Sequence, residues 1–249
     1  MKEIQEKINA ILSSTEEDFL LEDESFVEVS EDFEVEELYT DIYVLIKNID
    51  EYYGGEATYK AALLMESFLL ETMVLLKKNP EVVLVESGDF FVKATAFSPT
   101  GEEVFSIFED AVMINSMAEI YNQALSENGF PQMEVGIGVA TFVKEQLEHE
   151  HDHFEDECDC DHEEGETCSC GHDHHHDDED EFEYGIDFDN TASMLAELGN
   201  NGEFDPIVIN DIAYGLLVSV EEEFFQEHLD EVELEEGFSV FHGNIVKEE

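Results

Sequence analysis

The chain has 249 residues, 43% of them apolar, enough for one sizeable core or two small ones. Its 66 acidic residues face only nine basic ones, all lysine, for a formal charge of −57. A field of that sign, with no arginine fork to grip phosphate, argues against binding nucleic acid, anionic membrane or free nucleotide and favours cations and basic partners.

Residues 1–40 read as an acidic N-terminal extension that opens with a helix, since Ile4, Ile8, Ile11 and Leu12 recur at helical spacing. They lack the basic start and apolar run of a secretory signal. Phe26, Val27, Val29, Phe33 and Val35 suit a short strand or a segment tucked against the body. Ile42 to Ile49 forms an apolar run of buried-strand length. After Gly54-Gly55 a long helix is expected from about Glu56 to Lys78, ended by Asn79-Pro80. Val82–Val85 and Phe90–Phe97 then read as a hairpin turning at Ser87-Gly88-Asp89.

A second long helix is predicted from about Val104 to Asn128, and a strand from Met133 to Val143 thinned by Gly136 and Gly138. Composition then shifts. Residues 145–183 carry 19 carboxylates, 8 of the 10 histidines and all four cysteines. Beyond them a helix (about Asn190–Leu198), a strand (Pro206–Ile209), a helix (about Asp211–Val218) and a terminal segment of strand character (232–247) complete an α+β order. The expected fold is a mostly antiparallel sheet with helices packed on one face. It spans residues 41–247 with 145–183 as an insert. No apolar run approaches the ~20 residues of a membrane span, and the clustered cysteines exclude a secreted disulfide scaffold, so a cytoplasmic protein is expected.

These elements resemble the class III nucleotidyl cyclase catalytic domain, the adenylate/guanylate cyclase fold with a ferredoxin-like core. The resemblance rests on IYVLIKNI, on the Ser87-Gly88-Asp89 turn, on MEVGIGVATF, and on GIDFDNTASMLAEL followed by PIVINDIAYGLL. The closing FHGNIV is similar to the end of a bacterial branch that includes pyrimidine cyclases. The resemblance implies a homodimer and two Mg²⁺ or Mn²⁺ ions held by two carboxylates. Asp89 matches the second of these. The first falls on Asn48, a poor ligand for a hard dication, unless the register slides to Asp41. Asn190 matches the ribose-orienting asparagine and Glu183 lies near the base-selecting acid. Val85 stands where the base-selecting lysine is usual, and Met194 replaces the cation that offsets transition-state charge. Losing such a donor costs ~10²–10³ in rate; Lys93 and Lys247 are the candidate substitutes.

The insert carries its own chemistry. From His149 to His176, twelve thiol and imidazole side chains lie within twenty-eight positions: Cys158, Cys160, Cys168, Cys170, His149, His151, His153, His162, His172, His174, His175 and His176. These are the donors preferred by Zn²⁺, Ni²⁺, Co²⁺ and Cu. Gly165 and Gly171 let the two Cys-x-Cys pairs fold back toward one ion, and metal supplies folding free energy that so apolar-poor a loop lacks. The plain alternative is a solvated acidic tract. His228 and His242 read as surface or capping residues, Gly136-x-Gly138 as a thinned strand, and Asp187 and Asp189 as solvated carboxylates at a helix start.

The leading expectation is a catalytically degenerate cyclase-like protein with a transition-metal-binding loop that regulates dimerisation or partner binding. An active cyclase using Asp41 and Asp89, and an acidic interaction protein or nucleic-acid mimic, stand as alternatives.

Overall fold

The computed structural model describes residues 2–13, 37–53, 59–144, 190–234 and 237–247. In chain order they form α1 (Lys2–Ser13), β1 (Glu37–Ile46), α2 (Asp50–Tyr53), α3 (Tyr59–Leu76), β2 (Val82–Ser87), β3 (Phe91–Phe97), α4 (Gly101–Glu127), β4 (Val135–Lys144), α5 (Thr191–Leu198), β5 (Ile207–Asn210), α6 (Asp211–His228), β6 (Asp230–Glu233) and β7 (Ser239–Gly243). The strands make one sheet in the order β2-β3-β1-β4-β5-β7-β6. Every neighbouring pair is antiparallel except β4–β5. This is the mostly antiparallel α+β architecture expected.

Strand alternation divides the chain's apolar residues between two faces. Ile42, Val44 and Ile46 of β1 and Ile137 and Val139 of β4 enter the main core with α3, α4 and α6. There Phe68 meets Tyr121 edge-on and Phe225 meets Phe108. The N-terminal helix belongs to this core, with Ile8 and Ile11 fully buried. Lys7 pairs with Glu71 at 2.6 Å, and Lys60 Nζ donates to the Leu12 carbonyl at the open end of α1. A capping box fixes the start of α4, where Thr100 and Glu103 satisfy each other's backbone N–H groups.

Three elements differ from expectation. The helix α5 packs on the opposite face, over Gly136, Gly138 and Ala140, where Ala192, Leu195, Phe204, Val208 and Val240 form a second, smaller cluster. A Cβ on Gly138 would lie 1.9 Å from the Ala192 carbonyl oxygen, so the two glycines that thin the strand serve close helix approach. The helix α6 continues ten residues past Val218. Its sparse apolar pattern and the Glu221-Glu222-Glu223 run hid that half, which kinks at Glu221 and docks by Phe225. The short α2 has no hydrophobic periodicity to reveal it. No helix among the described residues is long and apolar enough to cross a membrane.

Candidate functional site

The face of β3-β1-β4 turned away from the main core carries Asp41, Tyr43 and Leu45 on β1 beside Thr95, Lys93 and Phe91 on β3. Asp41 is 2% exposed. Burial without a partner would expel its charge, but Lys93 Nζ stands 3.2 Å from Oδ2 and the Thr95 hydroxyl donates to Oδ1 at 2.6 Å. Asp41 and Lys93, two of the sequence candidates, are therefore committed to each other. Next along the strand, Tyr43 stacks on Phe91 with centroids 5.0 Å apart. Its hydroxyl pKa is raised, first by burial and then by Glu197 of α5 and Glu86 of β2. This aromatic pair between two carboxylates is absent from the sequence reading; the period-two alternation of β1 is the signal that places Tyr43 beside Asp41 on one face.

At the far end of β1 the Ile46 N–H donates to the Phe90 carbonyl at 2.9 Å, bringing Asn48 and the exposed hairpin tip with Asp89 to the same end of the sheet. Asn48 is already occupied there. Its Nδ2 donates to the Gln132 carbonyl and its Oδ1 accepts from the Glu134 N–H, both at 2.9 Å. Lys47 Nζ donates to the Gly199 carbonyl at 2.5 Å. Burial lowers the Lys47 pKa, with Glu134 pulling the other way.

Asp41 and Asp89 are not brought together. Asp41 pairs with Thr95 and Leu45 with Phe91, so four residues of strand, about 13 Å, separate Asp41 from the hairpin end. A pair of Mg²⁺ or Mn²⁺ ions takes two facing carboxylates. Among the described residues, one exposed aspartate beside an amide clipped to backbone does not supply that pair. Substituting Asn48→Asp removes the donor to Gln132 and sets a carboxylate against a carbonyl. The expected result is a loss of about 1–3 kcal/mol in urea unfolding with no gain of metal affinity. Unchanged stability together with new Mn²⁺ binding would show that the position is a free ligand site.

Asn190 precedes α5 as its N-cap, exposed and without a side-chain capping bond. Met194, one turn on, is 60% exposed. Val85 is half-buried opposite Ala94 on β3. Lys247 is exposed, its backbone N–H held by the Ser116 hydroxyl. His228 caps the end of α6 as expected, contacting the Phe224 carbonyl at 2.8 Å and stacking on the Phe224 ring. His242 corrects the surface reading. It is 8% exposed, accepts the Asp205 N–H at Nδ1 and packs edge-on against Phe204, anchoring the α5–β5 loop.

Glu183, Asp187, Asp189 and the cysteines and histidines of 149–176 lie outside the described residues. Among the described residues, no group of three or more His, Cys, Asp or Glu side chains is arranged to hold a metal ion.

No family model and no curated protein matches the chain, but solved structures do. It is similar to the adenylyl cyclase CyaB from P. aeruginosa, with a TM-score of 0.52, 8% identity, and coverage of 86% of this chain and 96% of that one. A bacterial light-regulated adenylyl cyclase gives 0.52, 11% identity, and 85% and 92% coverage. The guanylyl cyclase Cya2 gives 0.51, 10% identity, and 86% and 96% coverage. At such identities the likeness is one of architecture: this chain has the fold of the class III adenylyl and guanylyl cyclase catalytic domains.

Proposed function

We propose that the protein is a catalytically degenerate cyclase-fold protein of the cytoplasm whose 149–176 segment coordinates a divalent transition ion, zinc foremost. Metal occupancy regulates its association with a second copy or a basic partner. The observation that carries the loss of catalysis is Asn48, whose amide is spent at both atoms on the backbone of residues 132 and 134. Met194, exposed where the resemblance calls for a cation, supports the same reading, because a thioether does not offset charge developing on a phosphoryl group. Lys93, one of the two candidate substitutes, is held on Asp41.

The metal reading rests on donor chemistry and density. Four thiols and eight imidazoles are packed between His149 and His176 among carboxylates that concentrate cations. The segment joins β4 to α5 in the chain, so metal binding there acts on both ends of that connection. The test incubates pure protein with each of the nucleoside triphosphates and Mn²⁺ and searches for 3′,5′-cyclic product by mass spectrometry. It then compares sedimentation with and without zinc. No cyclic product and a zinc-dependent shift are expected. Product abolished by Asp89→Ala would overturn the degenerate assignment, and superimposable sedimentation profiles would overturn the regulatory one.

A further inference from the structure

The stacked rings of Tyr43 and Phe91 lie on a sheet face that no described element covers beyond α5. Both side chains are half-buried. Phe90 at the hairpin tip is 41% exposed and Met194 on α5 is 60% exposed, so apolar surface extends to both rims. Across the sheet Tyr43 pairs with Lys93 of β3 and Lys93 with Glu86 of β2, while α5, which carries Glu197, lies over Gly138, the β4 residue paired with Tyr43; the two carboxylates therefore stand on opposite sides of the stack. The positive charge nearest by, Lys93, is held 3.2 Å from Asp41. An aromatic floor between two carboxylates favours a cation with an extended, weakly hydrated face, because ring quadrupole and carboxylate charge act in the same direction. It opposes a triphosphate on both counts. A second copy of this chain would bring another −57 of charge to the same surface.

We infer that this face docks a basic, arginine-bearing polypeptide segment, with a guanidinium over the Tyr43–Phe91 pair between Glu86 and Glu197, and aliphatic contacts to Phe90 and Met194. The inference deepens the proposed partner binding and rests on the reading that the face no longer holds a nucleoside triphosphate.

The full chain is tested in EDTA, which removes the insert's metal from consideration. The probe is a fluorescein-labelled arginine–glycine repeat peptide, followed by anisotropy at ~0.15 M salt, where the screening length is about 8 Å and distant carboxylates contribute little. The double variant Glu86→Gln/Glu197→Gln should lose at least about tenfold in affinity. A control with the same change of charge on the other side of the sheet, Glu102→Gln/Glu127→Gln on α4, should lose less than about twofold. Tyr43→Leu, which keeps apolar bulk and removes the ring, should fall between them, with circular dichroism showing each variant folded.

Equal losses in the two charge variants would reduce the binding to the general field and overturn the inference, as would no loss in either. A chain that is dimeric alone and becomes monomeric on Met194→Glu would assign the face to a second copy instead. Displacement of the peptide by ATP with Mn²⁺ would overturn the degenerate-site reading together with the inference, whereas loss of the variant difference without ATP displacement overturns the inference alone.

Discussion

Gly138→Val should destabilise the fold by about 2–3 kcal/mol, a large fraction of a typical domain's margin. The cause is backbone, not side chain. A Cβ at residue 138 would stand 1.9 Å from the Ala192 carbonyl oxygen and 2.7 Å from the Ala196 nitrogen, and neither atom moves without moving α5. Gly138 also pairs with Tyr43 of β1 and with Val208 of β5, so the strand cannot retreat cheaply. The same displacement would carry Glu197 and Met194 away from Tyr43, so fold and docking face should weaken together. Gly215 supplies the contrast. It lies inside α6 with nothing within 4 Å of an added Cβ, and Gly215→Ala should stabilise by about 0.5–1 kcal/mol. Urea unfolding of the two variants checks both signs. A Gly138→Val protein with the wild-type midpoint would mean that α5 does not pack on this strand.

Ionic strength should change stability by several kcal/mol between ~0.01 M and ~0.5 M salt, because the screening length falls from about 30 Å to below 8 Å. With 66 carboxylates against nine lysines, most acidic groups have no cation to pair with. Even the lysines present are consumed locally, as Lys7 is by Glu71 and Lys93 by Asp41. Thermal unfolding at a series of NaCl concentrations should show the melting point rising steeply and then levelling off. MgCl₂ at matched screening length should add a further increment through direct carboxylate binding. A melting point indifferent to salt would show that the self-repulsion is already relieved in the unfolded chain as much as in the native one.

Much of the architecture was legible because hydrophobic periodicity carries it. The long helices α3 and α4, the hairpin β2–β3 and the order of elements all follow from apolar spacing and from Gly or Pro punctuation. What escaped was tertiary. Nothing in GIGVA says that a helix will lie on its glycines, and only the close approach of the Ala192 and Ala196 backbone reveals it. The second half of α6 is held by one deeply buried ring, Phe225, in a stretch whose composition is otherwise that of a solvated acidic run.

The site divides in the same way. The cyclase resemblance is what made Asn48 and Met194 conspicuous, and the surroundings of Asn48 show it acting as a backbone clip. On paper Asp41 and Asp89 made the metal pair of the active-cyclase alternative. The β1–β3 register separates them, and burial commits Asp41 to Lys93. Tyr43 was invisible as a site residue because its interest comes from Glu86 and Glu197, carboxylates remote in sequence that the sheet and α5 bring to it.

Zinc titration by calorimetry on untagged protein tests the central claim most directly, comparing the full chain with a chain lacking residues 149–176. Tight uptake reversed by EDTA is predicted for the full chain, and only weak carboxylate binding for the shortened one. Equal zinc uptake by the two chains, or none by either, would contradict it.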